Sequence, residues 1–293
     1  MEEKTARPDY KAGILCIIAS AFCFALMNLF IRLSGDVPTL QKCFFRNAFA
    51  LMIALSALIR SRTPLKIGKG NLKYLLIRSV SGGLGMVLHF YAVDHLAISD
   101  ASMLNKLSPF FAIIFSGFLL HERADRREWA AVIIAMCGAL LVMKPQFRME
   151  ALPAVGGFLG GMGAGLAYAN VRLLGVRGEN SMRIVAFFSG FTTLMLLPSL
   201  LLNYQPMSGE QWLFLILTGI AAAGGQIFIT KAYSKAPAKD ISVFDFSIVI
   251  FAAVLGFLFL GQVPDWLSVA GYVVIIGTAV WKWLAVRGKQ TGK

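Results

Sequence analysis

Four ionisable residues, Arg46, Arg78, Lys106 and Asp245, stand inside long apolar runs of this chain. An ionised group at the centre of a bilayer costs about 2.5–3.5 kcal/mol on insertion scales, so each needs a partner or a task. Lys106 stands near the middle of its run and has the chemistry to bind a substrate carboxylate or phosphate. Asp245 has the chemistry to hold a substrate amine or carry a coupling proton. The plainer alternative is a buried ion pair of structural value, which is often no more stabilising than an apolar replacement. Arg46, two turns inside its run, reads as structural: it either snorkels to the interface or bonds carbonyls of a neighbouring helix. Arg78 either snorkels towards the near end of its run or serves the site.

Uncharged polar residues widen the candidate set. The substrate-binding candidates are Asn28, Arg78, His89, Asn105, Lys106, Tyr168, Asn170, Gln226 and Asp245, with Tyr91 also in an apolar run. His89 has the chemistry to titrate near neutral pH, or it is a hydrogen-bonded structural histidine. Asn105 adjoins Lys106, but neighbouring helix positions diverge by ~100°, so the two need not share a face. Pro109 is expected to kink the chain beside Lys106. Glu122, among Arg123, Asp125, Arg126, Arg127 and Glu128, reads as part of a charge network fixing a short turn. No metal-ligand cluster, nucleotide-binding loop or cofactor motif appears, so no cofactor is expected.

The elements that must position these residues are apolar runs at about 12–33, 39–59, 72–93, 98–120, 128–143, 152–174, 182–202, 211–232, 240–260 and 266–285. A spanning helix needs about 20 mostly apolar residues. The fold class is therefore an all-α integral membrane protein of ten transmembrane helices. Composition agrees: 57% of the 293 residues are hydrophobic and 15% charged, against about 25% charged in soluble domains. Strands are disfavoured, because an open sheet edge cannot sit in lipid.

The net charge of +13 would suggest nucleic acid on a soluble protein. Here the Lys and Arg residues cluster in alternate short loops instead. With the N-terminus in the cytoplasm, 21 of the 28 lie in cytoplasmic segments and only Lys144 and Arg148 in outer loops. That asymmetry predicts both termini in the cytoplasm and a multi-pass protein of the cytoplasmic (inner) membrane. No nucleic-acid partner is expected; the partners are the lipid bilayer, a small-molecule substrate and a coupling proton. Trp129, Trp212, Trp266, Trp281 and Trp283 sit at expected helix ends, where the ring prefers the interface. Cys16, Cys23, Cys43 and Cys137 match no metal or disulfide spacing. The Ala19-Ser20-Ala21 stretch resembles a signal cleavage site. The apolar run continues to Ile31, however, and reads as a retained first span.

The halves resemble each other. Phe115-Ser-Gly-Phe-Leu-Leu aligns with Val254-Leu-Gly-Phe-Leu-Phe, which pairs Gly117 with Gly256, Gly138 with Gly277 and Lys106 with Asp245. Ala25-Leu-Met-Asn28 aligns with Ala167-Tyr-Ala-Asn170. The paired Asn28 and Asn170 suggest symmetric gating or a symmetric interhelical hydrogen bond. Five spans in each half, 1–148 and 149–293, force the halves into opposite orientations. Such an inverted repeat is a common architecture of secondary transporters, with the substrate site near the midplane. Ser81-Gly82-Gly83-Leu84-Gly85 and Gly224-Gly225, at matching places in spans three and eight, signal either interrupted helices or tight packing. Gly157, Gly161 and Gly165 form a small-residue ladder for close helix approach.

Arg46, Leu107-Ser-Pro109, His121-Glu122-Arg123 and Gly138-Ala-Leu-Leu-Val, in that order over the whole chain, resemble the EamA-type branch of the drug/metabolite transporter superfamily. The second half departs from the pattern: Ile248 replaces the matching proline, and Gly261-Gln262 replaces Glu-Arg. The resemblance implies an inverted five-plus-five repeat around a central cavity lined by spans one, three, four, six, eight and nine. It further implies transport of amino acids, nucleobases, nucleosides, carboxylates or cofactors. The expected function is secondary active transport of a small anionic or zwitterionic metabolite by alternating access. A flippase of lipid-linked or cofactor-like substrates is the variant on the same fold. An intramembrane enzyme is disfavoured, since no paired-aspartate, His-Glu-x-x-His or Gly-x-Ser-x-Gly motif is present.

Overall fold

The computed structural model describes residues 10–64, 66–119, 126–143, 151–235 and 242–291, and among them every regular element is helical. The order is α1 (Tyr10–Leu33), α2 (Thr39–Arg60), α3 (Leu72–His95), α4 (Ile98–Asn105), α5 (Ser108–Leu119), α6 (Arg126–Met143), α7 (Leu152–Val176), α8 (Ser181–Asn203) and α9 (Gly209–Lys235). A 3₁₀ turn (Ser242–Phe246), α10 (Ser247–Leu260) and α11 (Trp266–Thr291) follow. The expected Glu122 network, with His121 and Arg123, lies outside the described residues, as do Lys144 and Arg148.

Continuous apolarity makes these segments helices, because in lipid each backbone N–H and C=O must be satisfied within its own segment. Among the described residues, seven stretches are long and apolar enough to cross a membrane: Lys11–Leu33, Thr39–Arg60, Leu72–His95, Ile98–Leu119, Leu152–Gly175, Met182–Asn203 and Gly209–Ile229. The other three runs appear as shorter apolar helices, Trp129–Val142, Phe244–Leu260 and Trp266–Trp281. Large apolar side chains, among them Ile59, Phe118, Leu202 and Val273, stand exposed on the outside. A lipid-facing surface accounts for an apolar area that a soluble monomer rarely carries.

The main packing pairs are α1 on α9, α3 on α7, α2 on α8 and α6 on α11; α1 also meets α10, and α7 meets α4 and α5. Helix α7 is the centre of close approach. On one side, a Cβ on Gly160 would lie 2.9 Å from the Gly85 carbonyl, and one on Gly163 would lie 2.8 Å from that of Ser81. On the other, a Cβ on Gly161 would lie 2.5 Å from the Leu104 carbonyl, and one on Gly165 would run into Phe111. The ladder thus brings α7 against the end of α4 and the start of α5.

The interruptions fall elsewhere than the glycine runs suggest. Helices α3 and α9 run unbroken through Gly82–Gly85 and Gly224–Gly225. Gly225 meets the Phe24 ring and Gly224 meets Cys23, so these glycines serve packing. A break lies at Lys106-Leu107, between α4 and α5, and Asp245 stands in the 3₁₀ turn that leads into α10. Pro109 explains the break: it has no N–H to return to the Asn105 carbonyl, and its ring suits a first helical turn. Helices α5 and α10 begin at Ser108 and Ser247, which the repeat alignment pairs.

Candidate substrate-binding site

Lys106 and Asp245, 139 residues apart in sequence, form an ion pair between the α4–α5 break and the 3₁₀ turn before α10, and both side chains are largely buried. One oxygen of Asp245, Oδ2, takes the Lys106 ammonium. The other, Oδ1, is buried without a hydrogen-bond partner among the described residues. Neither residue stands within a regular α-helix, so neither side chain is bound to a helical face.

Beside the pair runs a polar chain from α3 through α1 to α4. His89 Nε2 lies 3.4 Å from Asn28 Oδ1. Asn28 Nδ2 donates to Ser102 Oγ at 3.0 Å, and Ser102 donates to the Ile98 carbonyl at 2.6 Å. The other ring nitrogen of His89, Nδ1, is buried and unpartnered among the described residues. The symmetry expected of the two asparagines is absent. Asn170 turns its Nδ2 onto its own helix, to the Leu166 carbonyl at 2.9 Å, and its Oδ1 has no partner among the described residues.

Arg78 does not snorkel to the end of α3. Its guanidinium lies one turn deeper, where a Cβ on Gly82 would be 2.8 Å from Nη1, and it stacks 3.6 Å from the Phe188 ring centre. Its Nε and Nη1 are buried without partners among the described residues. Arg46 donates from Nη1 to its neighbour Asn47 at 3.0 Å and leaves Nε buried and unpartnered. Both arginines lie within electrostatic range of Tyr168, and each within range of the other. His89 in turn senses Lys106 and Arg46. The helices agree: α3, with Arg78 and His89, packs against α2, which carries Arg46, against α7, which carries Tyr168, and against α4, which ends at Lys106, so that with Asp245 these side chains make up one polar region.

Asn105 presents its backbone to Gly161 on α7, and Gln226 is half-buried on α9, beside the Gly225–Phe24 contact. Neither makes a described contact with the ion pair. The sequence reading gave Arg46 a structural role and left it outside the candidate set. A signal was present: no acidic residue stands three or four positions from Arg46 or Arg78 on its helix to neutralise it. Ser102 was also passed over, and its sequence neighbourhood offers no such signal.

Two further networks lie at opposite ends of α3. At its C-terminal end Lys42, only 1% exposed, pairs with Asp94 at 2.6 Å and donates to the Gly35 carbonyl at 2.9 Å. Thr39 donates to the second Asp94 oxygen at 2.9 Å, and Arg32 bonds the Val93 carbonyl at 3.0 Å. At the N-terminal end Glu179, after α7, pairs with Arg183 and accepts from Asn71 Nδ2 at 2.8 Å and the Gly68 N–H at 3.1 Å. Burial alone would raise the Glu179 carboxyl. The hydrogen bonds from Asn71, Gly68 and Arg183, with the Arg183 charge, outweigh burial and hold it below the ordinary glutamate range.

The model of the EamA-like transporter family matches the chain twice, over residues 11–144 and 152–282. The pseudopaline exporter CntI of Pseudomonas aeruginosa (strain UCBPP-PA14) is 32% identical over 269 residues, covering 91% of this chain and 94% of its own. Human solute carrier family 35 member G1 is 27% identical over 303 residues, covering 96% of this chain and 82% of its own. A solved crystal structure with 16% sequence identity superposes with a TM-score of 0.66, covering 95% of this chain and 99% of the other. At that identity the likeness concerns the fold alone.

Proposed function

The chain belongs to the EamA-like transporter family, and from that premise we propose that it is a secondary transporter of a small polar metabolite bearing at least one anionic group, working by alternating access. The observation that carries this reading is the buried Lys106–Asp245 pair, set at the α4–α5 break and the 3₁₀ turn before α10, positions that the repeat alignment pairs. Ionisable residues inside a membrane protein mark substrate and ion pathways, and discontinuous helices build the binding site in transporters of inverted architecture. The proposed architecture is an inverted five-plus-five repeat, residues 1–148 and 149–293, around a central cavity.

The packing supports that architecture. Shifting each helix by five spans turns the α1–α9 contact into α7–α3, α1–α10 into α7 with α4 and α5, and α2–α9 into α8–α3; α2–α8 and α6–α11 map onto themselves. A two-fold axis in the membrane plane has this property. The basic loops place the Glu179 end and both termini in the cytoplasm, on the positive-inside rule. The proposed direction is outward, supported by the likeness to a protein named an exporter.

The test is counterflow in proteoliposomes with labelled amino acids and carboxylates. Wild type exchanges at least one of them. Asp245→Asn and Lys106→Met abolish exchange while remaining monodisperse in detergent. Normal exchange by both variants overturns the reading. A pH-gradient drive that disappears in Asp245→Asn assigns proton coupling to that carboxylate.

A further inference from the structure

The unpaired positive charge of the polar region lies in its arginines. Lys106 is neutralised by Asp245. Among the described residues, Arg46 and Arg78 take part in no ion pair, and Nε of each, with Nη1 of Arg78, is buried without a hydrogen-bond partner. Buried donors in folded proteins almost always find a partner, and the exceptions call for an explanation. Two such cations within range of each other compound the cost, because like charges repel strongly where the dielectric is low. A fold keeps that arrangement when an anion completes it.

We propose that Arg46 and Arg78, with the Tyr168 hydroxyl, form the carboxylate-binding subsite of the transport site, and that the substrate is an amino-carboxylate whose ammonium end lies towards Asp245. The assignment rests on the transport reading above. The mounting of Arg78 suits the task. Gly82 leaves the bed in which the guanidinium lies, and the Phe188 ring supports its flat face. Stacking occupies the face of a guanidinium and leaves its N–H edge to grip an oxyanion in bidentate fashion. Tyr168, about half exposed, adds a hydroxyl within range of both arginines. At the other end of the region, the unpartnered Oδ1 of Asp245 can accept from an ammonium while Oδ2 keeps Lys106. His89 lies within range of both Lys106 and Arg46 and links the two ends. The region is therefore polarised, cationic at the arginines and carboxylate-bearing at Asp245. That pattern matches a molecule with one negative and one positive end.

The experiment is thermal unfolding of the full chain in detergent with L-glutamate and three probes sharing one carbon skeleton: glutarate, 5-aminopentanoate and 1,5-diaminopentane. Ionic strength is held constant. The expected result is stabilisation by L-glutamate and 5-aminopentanoate, less by glutarate and none by diaminopentane. Arg46→Met and Arg78→Met weaken the apparent carboxylate affinity about tenfold or more, yet melt without ligand at or above the wild-type temperature, since each removes an unpaired buried charge. Arg78→Lys keeps the charge but loses the fork, and shows the same loss of affinity. The assignment is overturned if no carboxylate stabilises wild type, if the methionine variants keep the stabilisation, or if diaminopentane stabilises best. Retained stabilisation in Arg46→Met and Arg78→Met, together with exchange lost in Asp245→Asn, leaves the transport reading standing and refutes this assignment alone. Exchange unchanged in Asp245→Asn and Lys106→Met refutes the transport reading instead.

Discussion

The two ends of α3 and its middle treat buried charge in opposite ways. At the ends, Lys42 and Glu179 sit in networks that engage them from several sides. Asp94 is bonded by Lys42 and Thr39, and Glu179 by Arg183, Asn71 and a backbone N–H. In the middle, buried donors and acceptors lack partners among the described residues: Arg46 Nε, Arg78 Nε and Nη1, His89 Nδ1, Asn170 Oδ1 and Asp245 Oδ1. A saturated network fixes helices against one another, whereas an unsaturated one has capacity for a guest. On the proposed reading, the same types of side chain hold the fold together at its ends and wait on a ligand at its centre. Satisfaction, more than residue type or depth, separates the two.

The largest expected effect breaks a saturated end. Asp94→Ala strands the Lys42 ammonium, 1% exposed, and is expected to cost about 3–5 kcal/mol. The double variant Lys42→Met/Asp94→Leu recovers most of that loss. Unfolding midpoints check both, and an Asp94→Ala cost below about 1 kcal/mol, the scale of an exposed pair, would remove the distinction drawn here.

Next comes Glu179→Ala, which leaves three donors without their acceptor and is expected to cost about 2–3 kcal/mol. Its pH dependence carries a sign. The folded carboxyl titrates below its unfolded value, so its contribution is complete above the ordinary glutamate range. It is lost only as pH falls through the depressed folded value. Glu179→Gln should therefore flatten stability against pH on the acid side and do little near neutrality. An unchanged acid limb counts against it.

Ser102→Ala removes one partner of Asn28 and is expected to cost about 1 kcal/mol. A loss several times larger would mean that the His89–Asn28–Ser102 chain behaves as a saturated network. The smallest effect on stability, within about 0.5 kcal/mol, is expected for Gly82→Ala. The new methyl meets the tip of Arg78, with Nη1 at 2.8 Å, which yields, and the Phe188 ring and Ala167 Cβ at 3.2 and 3.3 Å, which must give by a few tenths of an ångström. Carboxylate-dependent stabilisation is nonetheless expected to fall severalfold, because the guanidinium leaves its bed. Unaltered ligand response in Gly82→Ala would detach Arg78 from the site.

The apolar runs made the helices readable, and the repeat alignment paired Lys106 with Asp245 before any geometry was known. Both signals are carried by many residues at once. The breaks were harder. The glycine clusters in spans three and eight left interruption and tight packing open, and packing is what they serve, since glycine is tolerated inside membrane helices where a neighbour packs on it. The 3₁₀ turn before α10 lacks the proline that marks the α4–α5 break, since Ile248 stands in that place. Where the Arg46 guanidinium ends was not legible, because its position on α2 says nothing of where a long side chain turns. The Glu179 network was invisible for another reason: its partners Gly68 and Asn71 lie 111 and 108 residues away, and no periodicity links them.

The two uncompensated guanidiniums also couple the protein to the membrane potential. A charge moved across the full field changes its free energy by about 2.3 kcal/mol per 100 mV. On the proposed mechanism the empty carrier crosses its midpoint with two net positive charges, less whatever part of the field they do not traverse. A bound amino-carboxylate with one charge of each sign leaves that net charge unchanged. Loaded and empty steps then both respond to voltage, and an inside-negative potential favours the conformation that brings Arg46 and Arg78 nearer the cytoplasm.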